Sequence, residues 1–486
     1  MNFNHNLFRN GIKAGALGLL ALTVAACDDE PKPDWTETAP VEFQLTGQSI
    51  AEGAVVPAST PVVTFTYSTE VAVNSLVSVT LNGVDVGAQL ADSVTVSVAL
   101  SLQKGKSYTL VIPDRAIAGI GTKTFAKGVT LNFTTEADPV VPSQVSDLVN
   151  ANATASTKNV WNFLKEQSGK RILSGAMANV NNNNDFSQWV SDLTTKWPAI
   201  TGYDFIHLPE SAAGQSWINY SDISAARSQW EGNGLVQYMW HWRVPTDKTA
   251  YDNKDYDKYG SRVPGEGTEG ATDFDIREAL KEGTWQHECI MNDIAEVGKV
   301  LKQLQDEGIP VIWRPLHEAA GSYQYSGAWF WWGRYGDEYT KELWKLMYNE
   351  LVNVQGLNNL IWVWTAQYEE GYENQMAASY VGNEYCDMIG TDIYAETDDA
   401  QLNAYNAILN MCGGKKLVTI SETGLIQSPA KCLAAGANWS YFMLWYTYDA
   451  LKNGITVDDF GNTKDSLIEV FTSNLVINRS DMPSLK

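Results

Sequence analysis

Positive charge is scarce in this chain: 34 Lys and Arg stand against 57 Asp and Glu, a formal net charge of −23 over 486 residues. Nucleic-acid binding depends on Lys and Arg neutralising phosphates, so that class of partner is excluded. The same balance disfavours strongly acidic substrates and electrostatic docking to an anionic membrane face, whereas a neutral polymer is indifferent to it. Cysteine is scarce as well, five in all. Cys289, Cys386, Cys412 and Cys432 show no Cys-x-x-Cys spacing, so they do not read as metal ligands; buried free thiols are the simplest reading, with one disulfide open in an exported protein. There is no Asp-x-Asp-x-Asp-Gly loop to hold calcium. A Gly-rich phosphate turn is missing after the strand at 171–178, where Leu173-Ser174-Gly175-Ala176 stands instead, which speaks against a doubly wound nucleotide fold. No metal and no cofactor are expected. The apolar run from Ala14 to Ala26 is too short to span a membrane as a permanent helix.

What is present begins with that run. Arg9 and Lys13 precede it, and it ends Leu22-Thr23-Val24-Ala25-Ala26-Cys27, so residues 1–26 read as an export signal. Small residues directly before a cysteine resemble a bacterial lipobox, which makes Cys27 the lipidation site and the first residue of the mature chain. Several acyl chains on one residue would anchor it stably. Residues 27–38 form a polar tether whose Asp28-Asp29-Glu30 resembles a surface-export signal. The expected location is therefore outside the cytoplasm, lipid-anchored to a bacterial outer membrane and facing either the cell surface or the periplasm.

Two patterns divide the remainder. From 39 to 136, short runs alternate with period two (Val62–Tyr67, Val77–Leu81, Val94–Leu100, Tyr108–Ile112, Val129–Phe133), punctuated by turns such as Asn82-Gly83. This predicts a small all-β sandwich of Ig-like type, serving chiefly as a spacer. Residues 137–147 read as a linker. From 148 to 486, eight apolar runs alternate with amphipathic helical stretches. They are 171–178, 198–205, 235–242, 310–318, 360–367, 387–394, 416–424 and 441–448. Eight buried strands separated by helices in about 310 residues predict a (β/α)8 TIM barrel. The stretch from Arg243 to His287 exceeds ordinary loop length and reads as a cleft wall or a surface insertion.

Barrel chemistry occurs at the carboxyl ends of the strands. Those ends carry His241-Trp242 on the third, His317-Glu318 on the fourth, Asp392 and Tyr394 on the sixth, Glu422 on the seventh and Trp445 on the eighth. A glutamate pair facing across the mouth is the arrangement retaining glycosidases use, one carboxyl as acid and then base, the other as nucleophile. The 18 Trp and 22 Tyr fit this, since flat rings suit the C–H faces of pyranoses, although aromatics also fill cores.

Trp313-Arg314-Pro315-Leu316-His317-Glu318 is similar to the acid/base motif of glycoside hydrolase family 26. Trp331-Trp332-Gly333, Leu360–Trp364, Gly390–Tyr394 and the segment around Glu422 follow in family order. The resemblance covers roughly 150–480 and implies a (β/α)8 hydrolase whose dominant activity is endo-β-1,4-mannanase. It implies Glu318 as acid/base and Glu422 as nucleophile, with Tyr394 donating a hydrogen bond to Glu422. His317 would orient the carboxyls, and His241 would bind hydroxyls of the sugar at the cleavage point. Trp332 and Trp445 would stack on rings either side of the scissile bond, and Asp392 would join the substrate-binding set. Arg314 reads as an interior ion-pair partner. The chain departs from the pattern at Tyr446, where many family mannanases place an Arg for an outer sugar. Another activity of the family, β-1,3-1,4-glucanase or β-1,3-xylanase, therefore stays open, as does a non-catalytic glycan-binding lipoprotein. A monomer acting on a neutral β-linked polysaccharide or oligosaccharide is expected.

Overall fold

The computed structural model describes residues 42–135, 145–179, 182–265, 270–324, 327–446 and 448–486. The export signal, Cys27, the tether and most of the linker thus lie outside the described residues.

Residues 42–135 form a small β domain. Four strands (Leu45–Gln48, Val62–Tyr67, Thr95–Ala99 and Gln89–Leu90) make one antiparallel sheet. Five more (Ala54–Val56, Val129–Thr135, Ser107–Ile112, Thr80–Leu81 and Val84–Asp85) make a second, antiparallel except where Val129–Thr135 pairs with Ala54–Val56. The period-two pattern does its expected work: Val63, Phe65, Tyr67, Val96, Val98, Leu110, Ile112, Leu131 and Phe133 all turn into one core. Asn82 and Gly83 both have positive φ, +49° and +79°, which gives the two-residue hairpin between Thr80–Leu81 and Val84–Asp85 the twist its strands need.

Eight parallel strands close the second unit: β1 (Ile172–Met177), β2 (Ile200–Asp204), β3 (Leu235–Met239), β4 (Val311–Arg314), β5 (Leu360–Thr365), β6 (Met388–Ile393), β7 (Leu417–Thr423) and β8 (Tyr441–Leu444). Each pairs with the next, and β1 pairs with both β2 and β8, so the sheet has no open edge within the ring. Every residue of these strands is buried, as continuous apolar runs between a filled interior and a helical jacket require. Val476–Ile477 adds a short parallel pairing to β1.

All eight strand expectations fall on observed strands. The long helix after the insertion, Trp285–Asp306, begins where Thr284 caps it by accepting from the His287 amide. The insertion after β3 is folded. Val244–Pro245 pairs with Tyr259–Gly260, flanking a helix at Lys248–Asn253, and Arg243 donates to the Tyr256 and Tyr259 carbonyls at 2.9 and 3.0 Å. Its far end pairs with the loop after β4, Val263 N donating to Trp329 O at 3.0 Å and Trp331 N to Ser261 O at 3.0 Å. The insertion is thus fastened to the loop that carries Trp329.

Candidate active site

Two local distortions place the glutamates. Beyond β4 the chain turns through Pro315, Leu316 and His317, with Leu316 and Glu318 both left-handed at φ +51°. Such backbone costs a non-glycine residue about 1–3 kcal/mol and persists only where its surroundings over-determine it. Here Leu316 and His317 are buried, Trp332 Nε1 donates to His317 O at 2.9 Å, and Gly321 N donates to Glu318 O at 3.0 Å. On β7, Thr391 pairs with Ile420 and Asp392 with Glu422, so Ser421 is an extra residue that bulges the strand and re-aims Glu422. Gly390 makes room for it: a Cβ there would fall 1.7 Å from Ser421 Oγ.

The result is a compact acidic cluster around one guanidinium. Arg314, fully buried, donates from Nη1 to Glu422 Oε1 at 2.6 Å, from Nη2 to Asp392 Oδ2, and from Nε to Thr365 Oγ1 at 2.8 Å. Tyr394 donates to Glu422 Oε2 at 2.8 Å, so each oxygen of Glu422 receives one donor. Trp329 Nε1 donates to Glu318 Oε2 at 2.8 Å. One oxygen from each of Glu318, Asp392 and Glu422 lies within 4.8 Å of the others.

Burial, then the charge of Glu422, push the Glu318 carboxyl up, while Arg314 and the Trp329 indole oppose them. Asp392 is driven the same way, by burial first and then by the two glutamates, against Arg314. Burial works against the charge of Arg314, but Asp392 and Glu422 outweigh it and hold the guanidinium firmly protonated. Enclosure of its hydroxyl and the negative charge of Glu422 raise the Tyr394 phenol, although the residue as a whole is 45% exposed. Of the two glutamates, Glu318 is the one whose surroundings favour its protonated form, and Glu422 the one held between two donors.

The histidines meet each other. His241 Nδ1 contacts Asp204 Oδ2 at 2.6 Å while its backbone N–H donates to Asp204 Oδ1 at 3.0 Å. Its Nε2 faces His317 Nε2 at 3.2 Å. Burial lowers the basicity of His241, but Asp204, then Glu422 and Glu318, raise it overall. Burial, His241 and Arg314 all lower His317, which keeps that ring neutral. With Asp204 accepting from Nδ1, a sugar hydroxyl at His241 must share or displace the His317 contact on Nε2.

Three expected roles need correction. His317 makes no hydrogen bond to Glu318 or Glu422; it supports His241 instead, because the left-handed turn carries its ring toward β3. Trp332 is fully buried beneath Phe330, its ring stacked 4.4 Å away, and offers no face to a sugar. Asp392 has no exposed side-chain surface and belongs to the Arg314 ion pair, not to a sugar-binding surface. Trp445, half-buried with its ring 6.0 Å from His241, keeps a position at the mouth. Asp204, Trp329 and the contact of Arg314 with Glu422 were not singled out from the sequence. Asp204 had a signal, a carboxylate at the carboxyl end of a barrel strand. Trp329 had none, since nothing in Ala328-Trp329-Phe330-Trp331-Trp332 ranks one indole above another.

Among the described residues, Glu318, Asp392 and Glu422 are the one grouping with the spacing of metal ligands, and Arg314 already supplies positive charge within it. The four described cysteines are buried and free.

The profile of glycosyl hydrolase family 26 matches residues 149–479. Mannan endo-1,4-beta-mannosidase B of Piromyces sp. is 34% identical over 347 residues, which is 69% of this chain and 54% of that protein. The chain thus spans about half the length of that curated relative. A beta-mannanase from a symbiotic protist of the termite Reticulitermes speratus, solved with a gluco-manno-oligosaccharide, superposes with a TM-score of 0.60 at 31% identity, covering 70% of this chain and 99% of its own. The family 26 domain of an endo-beta-mannanase/endo-beta-glucanase from Prevotella bryantii does so at 0.60 and 32% identity, covering 69% and 98%.

Proposed function

We propose that this chain, which belongs to glycosyl hydrolase family 26, is a retaining endo-acting hydrolase of β-1,4-mannosidic bonds in mannan, galactomannan or glucomannan. The observation that carries the reading is the pair Glu318 and Glu422, oxygens within 4.8 Å, the first buried beside a like charge and the second held between the donors Arg314 and Tyr394. That separation suits direct attack on the anomeric carbon and leaves little room for the intervening water an inverting enzyme needs.

In the first step Glu318 gives its proton to the glycosidic oxygen while Glu422 attacks the anomeric carbon. The sugar–oxygen bond breaks and a covalent glycosyl-enzyme forms. Arg314 and Tyr394 each donate to one oxygen of the attacking carboxylate and so aim it. Glu318, now ionised, then takes a proton from water, whose oxygen displaces Glu422. Trp329 touches the acid/base, and in this reading it stacks on the leaving sugar in place of the buried Trp332. Trp445 and His241 flank the sugar that stays.

The mannan assignment is supported by the named activities of the relatives. Tyr446 favours testing β-1,3-1,4-glucan and β-1,3-xylan beside it. Hydrolysis of a panel of mannan, galactomannan, glucomannan, lichenan and β-1,3-xylan, with proton NMR of the first-formed anomer, decides substrate and stereochemistry together. Release of the inverted anomer would sink the retaining mechanism, and preference for a non-mannan glycan would sink the substrate. Glu422→Ala should be inactive on every polysaccharide yet fold normally.

We further infer an exported monomer anchored through lipid at Cys27, with residues 42–135 as an Ig-like spacer. The support is the lipobox-like sequence and the two-sheet core. Cys27→Ala should leave the membrane fraction without loss of activity in vitro; retention in membranes after a salt wash would refute the anchor.

A further inference from the structure

Among the described residues two tryptophans are exposed, Trp329 at 37% and Trp217 at 70%. The first touches Glu318; no step of the proposed reaction uses the second. Trp217 belongs to the loop that leaves the carboxyl end of β2, so it stands at the same mouth of the barrel as the glutamates. The loop around it is fastened. Ile218 and Tyr220 are buried, Tyr220 N donates to Ser211 Oγ at 3.1 Å, and the Tyr220 hydroxyl accepts from His207 N at 3.1 Å. An indole left outside while its near neighbours pack inward is not frayed chain.

One side of the indole meets the His207 ring, centroids 5.9 Å apart and planes inclined 57°, which leaves a flat face open. Arg243 holds His207 from below, its Nη1 3.3 Å from Nδ1 while it also binds Glu210 and the Tyr256 carbonyl. Aromatic groups also lie between the loop that carries Trp217 and the cleavage point. Tyr446 is within electrostatic reach of Tyr220, its ring is 4.8 Å from Trp445, and Trp445 is 6.0 Å from His241. β8, β1 and β2 are consecutive in the ring, and β8 stands opposite β4, whose Glu318 and Trp329 mark the leaving sugar.

We propose that Trp217 is the platform of an outer sugar-binding site, beyond the sugar that stays on the enzyme, and that it takes the C–H face of a neutral β-linked hexopyranosyl unit. The proposal rests on the glycanase reading of Glu318 and Glu422. It places affinity on the β2 loop, on the side where Tyr446 takes the position of the expected Arg.

The test is the dependence of kcat/KM on chain length, measured with the full protein on a series of oligosaccharides from whichever panel polysaccharide the wild type cleaves. Trp217→Ala should lose about three- to tenfold on the longest substrates, the fold-change expected for one lost ring contact, and nothing on an aryl glycoside of one or two sugars. Trp217→Phe, which keeps a smaller face, should fall between. An equal loss at every length would make Trp217 merely structural, and no loss at any length would mean that no sugar reaches it; either overturns the proposal while the glycanase reading stands. A wild type inactive on the whole panel would overturn both.

Discussion

Arg314→Met would remove the only cation among three carboxyls while nearly preserving side-chain length. Wild-type Arg314 and Asp392 have no exposed side-chain surface, and Glu422 has 5%, so no solvent is at hand to replace the guanidinium. Breaking a buried ion pair from one side costs about 3–5 kcal/mol, because the stranded charge remains. For a barrel of about 330 residues the unfolding entropy is roughly 0.7 kcal/mol/K near 60 °C, so the melting temperature should fall by about 4–7 °C. The sign with pH is definite. Carboxyls left buried without a cation have folded pKa values above their unfolded ones, so the penalty is greatest above the folded pKa. It fades as pH falls and vanishes below the unfolded value of about 4. Calorimetric scans at about pH 7 and pH 4.5 should therefore show a large deficit at the first and a small one at the second. Adding Asp392→Asn should recover part of the loss at neutral pH. A variant melting with the wild type, or a deficit independent of pH, would refute the ion-pair account.

Three further outcomes follow from the same cluster. Glu318→Ala should keep fast attack on a dinitrophenyl glycoside but release the sugar slowly, giving a burst of phenol that azide shortens, and should lose natural substrates by more than about a hundredfold; uniform loss across leaving groups would deny it the acid role. Trp329→Phe keeps a ring but deletes the indole N–H that favours ionised Glu318, so the Glu318 pKa should rise further and the basic limb of the pH–rate profile should move to higher pH; an unmoved limb would contradict the contact. Asp204→Asn should lower the His241 pKa in an NMR titration of the imidazole and reduce kcat/KM about ten- to hundredfold through lost ring orientation. Its contribution to stability, present below the unfolded His pKa and lost as pH rises through the raised folded one, should disappear with it.

The barrel was legible because buried parallel strands are written as unbroken apolar runs, and eight such runs can be counted. The catalytic pair was legible because strand ends are where a barrel can present side chains. What failed was the direction of individual rings. Trp329, Trp331 and Trp332 are near neighbours in one segment, but only the folded chain, with left-handed residues at Leu316 and Glu318, sets which indole meets the Glu318 carboxyl and which meets the His317 carbonyl. His317 was misassigned for the same reason. Asp204 is harder to read because its partner lies 37 residues away, just beyond the end of the adjoining strand. That contact depends on the register of β2 with β3, which local periodicity does not encode.

The space above Gly390 has a consequence for transplanting this chemistry. A designer moving the glutamate pair onto another barrel would copy the side chains and the strand numbers, and would still miss the part made of nothing. The methyl group absent at Gly390 lets Ser421 swell out of β7, and that swelling brings Glu422 level with Asp392 and within reach of Arg314. A graft onto a host with alanine at the corresponding place would present the right residues in a strand too regular to aim them. The empty volume has to be carried over along with the acids.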